Sequence, residues 1–125
     1  TNVRIARGNA LELARQQLRP ASVSAIHAFF PDPWPKTRHH KRRLIQPAHV
    51  ALLRSRLVPG GLLHCATDAA DYATSMMDAL VADGELVNRF PGFAPRAQRP
   101  ITKYEKRALD AGRNVFDLMF HRIAP

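Results

Sequence analysis

The chain has 125 residues with 19 Lys and Arg against 10 Asp and Glu, a formal charge of +9 with His neutral. That length suits one domain, and a hydrophobic content of 46% is enough to build a core, which excludes a disordered tail. No apolar run approaches the ~20 residues of a membrane helix, the longest being 61–66, broken at His64 and Cys65. No leader segment is visible at Thr1-Asn2-Val3-Arg4, and the single cysteine excludes an internal disulfide, so the cytoplasm is the expected compartment. The positive excess points to a polyanionic partner, nucleic acid before an anionic membrane. Lacking an initial Met and opening directly in a strand-like run, the chain reads as a piece of something longer.

Residues 3–6 alternate like a short strand, closed by Gly8-Asn9. Residues 10–18 carry helix formers, with Ala10, Leu11, Ala14 and Leu18 on one face, and Pro20 ends the run. Residues 24–30 are nearly all apolar, the pattern of a strand buried on both faces, and His27 within it reads as a buried histidine. Residues 31–43 begin with three prolines in five positions and continue as a basic run, so a loop is expected. Pro47 opens a helix to about Leu57 with Val50, Leu53 and Leu57 inward, stopped by Pro59-Gly60-Gly61. Residues 62–67 form an apolar strand with Asp68 at its carboxyl end. Residues 71–81 are helical, with Tyr72, Ala73, Met76, Met77 and Leu80 as the apolar stripe. A short strand at 86–90 and an irregular stretch at 92–100 follow; Thr102 then caps a helix over 103–111, with Glu105 completing a capping box. Residues 115–123 alternate as a closing strand.

This β-α-β-α-β-α-β-α-β order predicts an α/β fold with a largely parallel sheet and helices on both faces. Ligands of such sheets bind beyond the carboxyl ends of the strands, where Asn9, Asp32 and Asp68 all fall.

In Pro31-Asp32-Pro33-Trp34-Pro35-Lys36 the prolines hold a carboxylate and an indole on a stiff loop. Two readings fit: a rigid corner for a planar, hydrogen-bonding ligand such as a nucleobase, or a proline turn with Trp34 packed as core. The run that follows, Lys36 to Arg43, holds five Lys or Arg, two His and no acid, and a second basic stretch spans 89–107. Basic runs are often only solvated faces, but two of them flanking one candidate pocket suit the phosphates of RNA or DNA. His39, His40, His64 and Cys65 fit no zinc spacing, so no metal is expected. Cys65, in an apolar strand, reads as an inert core residue.

At Phe30-Pro31-Asp32-Pro33-Trp34-Pro35-Lys36-Thr37-Arg38-His39-His40-Lys41-Arg42-Arg43 the chain closely resembles the bacterial tRNA (guanine-N7-)-methyltransferase family. Three further blocks agree in order: Ala66-Thr67-Asp68 with Asp71-Tyr72, then Arg99-Pro100-Ile101-Thr102-Lys103-Tyr104-Glu105, then Asn114-Val115-Phe116-Asp117-Leu118. The resemblance covers essentially the whole chain. It implies a Rossmann-like, class I methyltransferase fold that uses S-adenosylmethionine to methylate guanine N7 in the variable loop of tRNA. The implied partner is tRNA, with no metal and no membrane, and with monomer and homodimer both open. By the same match Asp32 is the active-site aspartate and also lies at the methyl donor, and Asn9 lies near the donor's adenine. Lys36, Asp68, Thr102, Lys103, Tyr104 and Glu105 fall at substrate-contacting positions. Arg38, His39, His40, Lys41, Arg42 and Arg43 fall in the segment that contacts RNA.

The chain departs from the family's pattern at Asn9 (usually Asp), Ala69 (usually Trp), Tyr104 (usually Phe) and Ala111-Gly112-Arg113 (a Gly-His-Gly-like turn). The family's first two strands and helices, with their Gly-rich turn and acidic ribose-binding residue, have no counterpart in it. Residues 1–125 are therefore expected to be a partial methyltransferase domain, incomplete at the N-terminus. Strands at 3–6 and 24–30 would then expose unpaired backbone, and the chain alone would bind the donor weakly or not at all. An inactive RNA-binding fragment is the competing expectation.

Overall fold

The computed structural model describes residues 10–95 and 103–124. The helix-forming and apolar segments alternate as α1 (Ala10–Gln16), β1 (Val23–Phe29), α2 (Pro47–Arg56), β2 (Leu57–Thr67), α3 (Ala70–Ala82), β3 (Leu86–Asn88), α4 (Lys103–Asp110) and β4 (Phe116–Arg122). The strand expected at 3–6 and the cap expected at Thr102 lie outside the described residues.

The sheet order is β1-β2-β4-β3, with β1 and β2 parallel and β4 antiparallel to both β2 and β3. Three strands thus share one direction, and β4 corrects the expectation of a largely parallel sheet. The cause is topological. β3 ends at the carboxyl edge, and the bridge between Ala94 and Asp117 shows the chain at that same edge when β4 begins. A strand that re-enters from there has to run backwards, so α4 is not a crossover helix.

One core joins Ala14 of α1, Val50 and Leu53 of α2, and Tyr72, Met76, Ala79 and Leu80 of α3 to Ala28, Leu63, Cys65, Leu118 and Phe120 of the sheet. The helical periodicity of α3 is reproduced in burial: Tyr72, Ala73, Met76 and Leu80 are covered, and Met77 packs at the margin. Arginines tie the layers together through carbonyls that helix ends leave open. Arg122 of β4 donates Nη1 to the Leu57 carbonyl at 2.6 Å, and Arg56 donates Nε to the Ala14 carbonyl at 2.7 Å.

α1, α2 and α3 share a single core, whereas Glu105 and Ala108 of α4 are buried outside it. This bears directly on β1, the edge strand of the described sheet. Ala28 is buried and Ile26 packs against the core, whereas Ala25, His27 and Phe29 are exposed. Double burial of residues 24–30 and a buried His27 are therefore corrected. The strand is apolar on both sides, but only one side has a described layer to pack on, so the pleat's alternation appears in burial and not in composition.

Pro59-Gly60-Gly61, expected to end a helix, instead lies inside β2, because α2 already stops at Arg56. The pairing jumps from Val23–Leu57 to Ala25–Leu62 across this point, and Gly60 takes a φ of 81°. Gly61 sits against the backbone: a Cβ there would lie 2.9 Å from the Val58 carbonyl oxygen and 3.2 Å from that of Ser24.

Gly61→Ala should cost about 1–3 kcal/mol in urea unfolding, since backbone atoms cannot swing aside. Gly84→Ala, whose Cβ would meet nothing within 4 Å, should be close to neutral. Cys65 is fully buried and its thiol is pushed up to about 12 by burial. It should resist an aromatic disulfide reagent at pH 8 and react at once when denaturant is added.

Candidate active site at the carboxyl edge of the sheet

β1 and β2 end in register, with Phe29 opposite Ala66, and the Phe30 N–H donates to the Ala66 carbonyl at 2.7 Å. The segments that carry Asp32 and Asp68 therefore leave the sheet side by side. Phe30 and Trp34 have φ of 53° and 43°, a left-handed conformation that costs a bulky residue roughly 1–3 kcal/mol. Between them Pro31 and Pro33 fix φ, and Asp32 Oδ1 accepts the Trp34 N–H at 3.0 Å. The product is an exposed carboxylate on a strained, closed corner.

The basic run beyond this corner is not a plain loop: Thr37–Arg42 forms a 3-10 helix. Its side chains divide into two groups. Lys36, Arg38, Lys41 and Arg42 are exposed. Arg42 stacks its guanidinium 5.0 Å from the centroid of Trp34, and His39 meets that ring edge-on at 5.7 Å. His40 Nε2 lies 3.4 Å from the Pro35 carbonyl and 3.9 Å from Asp71 Oδ2. Arg43, in contrast, is only 3% exposed. Its Nε donates to the Pro33 carbonyl and its Nη2 to Asp71 Oδ2, both at 2.6 Å, and its guanidinium lies over the Tyr72 ring at 4.6 Å. The Arg43 hydrogen bond holds the Asp71 carboxyl below the usual carboxylate range. Tyr72, whose own pKa burial raises, accepts the Ile45 N–H at 3.0 Å through its hydroxyl oxygen. Gln46 Nε2 donates to the carbonyls of Lys41 and Arg43 and closes the turn.

On the other side of the edge, Asp68 Oδ2 accepts Arg113 Nε at 2.8 Å. Sequence reasoning found Asp68 but missed Arg113; the departure from the family's turn at that position was the available sign. Gly112, with φ of 79°, turns the chain there. Lys103 is exposed and Glu105 is fully buried. Asn9, Thr102 and the side chain of Tyr104 lie outside the described residues.

A buried pair beneath the site also went unread. His64 Nε2 lies 2.8 Å from Asp117 Oδ2, and both side chains are covered. Phe29 packs edge-on to His64 at 4.9 Å, with His27 at 6.0 Å. Burial, and then the neighbouring His64, lower the His27 pKa. The period of two that puts residues 64 and 117 on one sheet face was available in the sequence, but the register that joins them was not.

A shallow cavity of about 410 Å³ lies between the basic turn and α3, lined by His40, Arg43, Asp71, Thr74, Ser75 and Asp78 among others. Asp32 and Asp68 do not line it; they share a sheet edge. Among the described residues no cluster of three or more His, Cys, Asp or Glu is placed to hold a metal ion. No described helix is long and apolar enough to cross a membrane.

Residues 1–118 match the family model described as Putative methyltransferase. The chain is 54% identical over 123 residues to the tRNA (guanine-N(7)-)-methyltransferase of Bordetella pertussis, covering 98% of this chain and 48% of that protein. Proteins of the same name match at 52% identity in Paraburkholderia xenovorans, over 98% of this chain and 47% of the relative, and at 50% in Streptomyces coelicolor, over 98% and 46%. The chain thus spans about half the length of the curated relatives it matches. Together with the α/β sheet and a match along nearly its whole length, these findings place the chain in that methyltransferase family.

Proposed function

We propose that the protein carrying this chain transfers a methyl group from S-adenosylmethionine to N7 of a guanine in the variable loop of tRNA, in the cytoplasm. The observation that supports this most is the strained corner presenting Asp32, with Phe30 and Trp34 both at positive φ around one exposed carboxylate. Strain of this kind persists where a geometry is useful to function. The donor set suits the methyl donor, because an exposed carboxylate attracts a sulfonium cation. When bound, S-adenosylmethionine supplies an electrophilic methyl group on that cationic sulfur, and Asp32, with Asn9, would hold it.

Guanine N7 carries an in-plane lone pair and no proton, so none of these residues has to act as a general base. What remains for the protein is placement and charge stabilisation. Asp32 keeps a negative charge at a fixed point beside the purine as positive charge develops on it. Lys36, Asp68, Thr102, Lys103 and Tyr104 take the substrate nucleotide, and Glu105, being buried, anchors their segment from below. Trp34 offers an aromatic surface for a base drawn out of the folded tRNA. Arg38, His39, His40, Lys41 and Arg42 supply a cationic surface for phosphates.

Asp32→Asn should lower kcat by roughly 10²–10³ while leaving the tRNA Kd nearly unchanged, because the group acts on developing charge. Equal losses in kcat and affinity, measured by labelled-methyl transfer and filter binding, would contradict that role. tRNA binding should weaken steeply with salt, and Lys41→Ala should reduce the slope of log Kd against log salt by about 1. An affinity insensitive to salt would remove the phosphate contacts from the reading.

A further inference from the structure

We infer that Arg43 is a positioning residue that locks the Asp32 corner onto α3 from beneath, and not one of the RNA contacts of the basic run in which it stands. The inference rests on the reading of Asp32 as the carboxylate of the reaction.

Exposure separates Arg43 from its neighbours. At 3% exposed it has no room for a phosphate, whereas Arg38, Lys41 and Arg42 stand in solvent. Its guanidinium is used on three sides: Nε on the Pro33 carbonyl, Nη2 on Asp71, and the flat face on Tyr72. The Pro33 carbonyl belongs to the peptide that joins the residue after Asp32 to Trp34, one of the corner's two residues at positive φ. A hydrogen bond to that oxygen fixes the peptide plane on the far side of Asp32, while the Phe30 N–H bond to Ala66 fixes the near side. The loop is thereby gripped at both ends with the carboxylate between.

The other end of the clamp is equally well founded. Asp71 lies in the first turn of α3, where the helix dipole favours an acid, and Tyr72 beside it is fully buried and bonded to the Ile45 N–H. The bidirectional fork is a property of arginine: a lysine would keep the charge but lose the two rigid donors and the stacking plane.

The chain contains one tryptophan, Trp34, which sits on the clamped loop and reports its state without any reaction. In Arg43→Met and Arg43→Lys, acrylamide quenching of Trp34 should rise and its anisotropy fall. Displacement of the corner should lower kcat by roughly 10- to 100-fold, with the tRNA Kd and its salt slope at their wild-type values. Asp71→Asn, altered at an exposed acid outside the core, should move Trp34 in the same direction and serves if the Arg43 variants fail to fold. An Arg43 variant that reduces the salt slope by about 1 with Trp34 unmoved would make Arg43 an RNA contact and overturn the inference, as would Asp71→Asn with wild-type quenching. If Trp34 responds but the wild-type protein transfers no methyl to tRNA, the proposed reaction fails and the clamp stands. If the wild type is active and Arg43→Lys keeps both kcat and Trp34 quenching, the clamp fails and the reaction stands.

Discussion

A buried guanidinium is costly unless every side of it is engaged, and the carboxyl edge of this sheet is organised around one. Arg43 is covered, with a carbonyl, a carboxylate and an aromatic face as its partners. The partners belong to two pieces of structure: the proline corner supplies the carbonyl, and the first turn of α3 supplies both the carboxylate of Asp71 and the buried ring of Tyr72. The cation therefore converts three separately weak constraints into one joint. Without it the left-handed backbone at Trp34 would be held only from within its own segment, by the prolines, the Asp32 carboxylate and the side chains of the basic turn. Side-chain entropy is lost at several positions to make this joint, and what it secures is the location of one acid.

The sheet itself divides the chemistry. One face carries α1, α2 and α3, and its residues are apolar down to the thiol of Cys65. The opposite face of β2 and β4 holds His64 against Asp117 with no water-exposed surface on either. A polar pair so enclosed contributes little net stability compared with apolar residues of the same volume, but separating the partners would leave two buried polar groups unsatisfied. Among the described strands β4 is the reversed one, and the pair joins it to β2 across the sheet.

Much of the architecture was legible in sequence because it depends on local periodicity. The stripe of α3 from Tyr72 to Leu80 and the inward set Val50, Leu53 and Leu57 are buried as their spacing requires. The proline corner was legible as stiff, since proline's ring acts through its own residue and the one before it. What escaped depends on partners distant in the chain. Arg43 reads as the last member of a basic run, and what distinguishes it is its burial against Pro33, Tyr72 and Asp71, the last 28 residues away. The exposure of His27 depends on what packs beside β1, and the reversal of β4 depends on where the chain re-enters the sheet. Composition carries neither.

The pairing of Asp68 with Arg113 sets a condition on anything that comes to this edge. An acid already satisfied does not attract a newcomer by its full charge; it exchanges one cation or donor for another. Whatever engages Asp68 must outcompete an arginine that is half in solvent and free to turn elsewhere, on a phosphate for instance. Occupancy at that acid is thus a displacement equilibrium, in which selectivity comes from the difference between two attractions of similar kind.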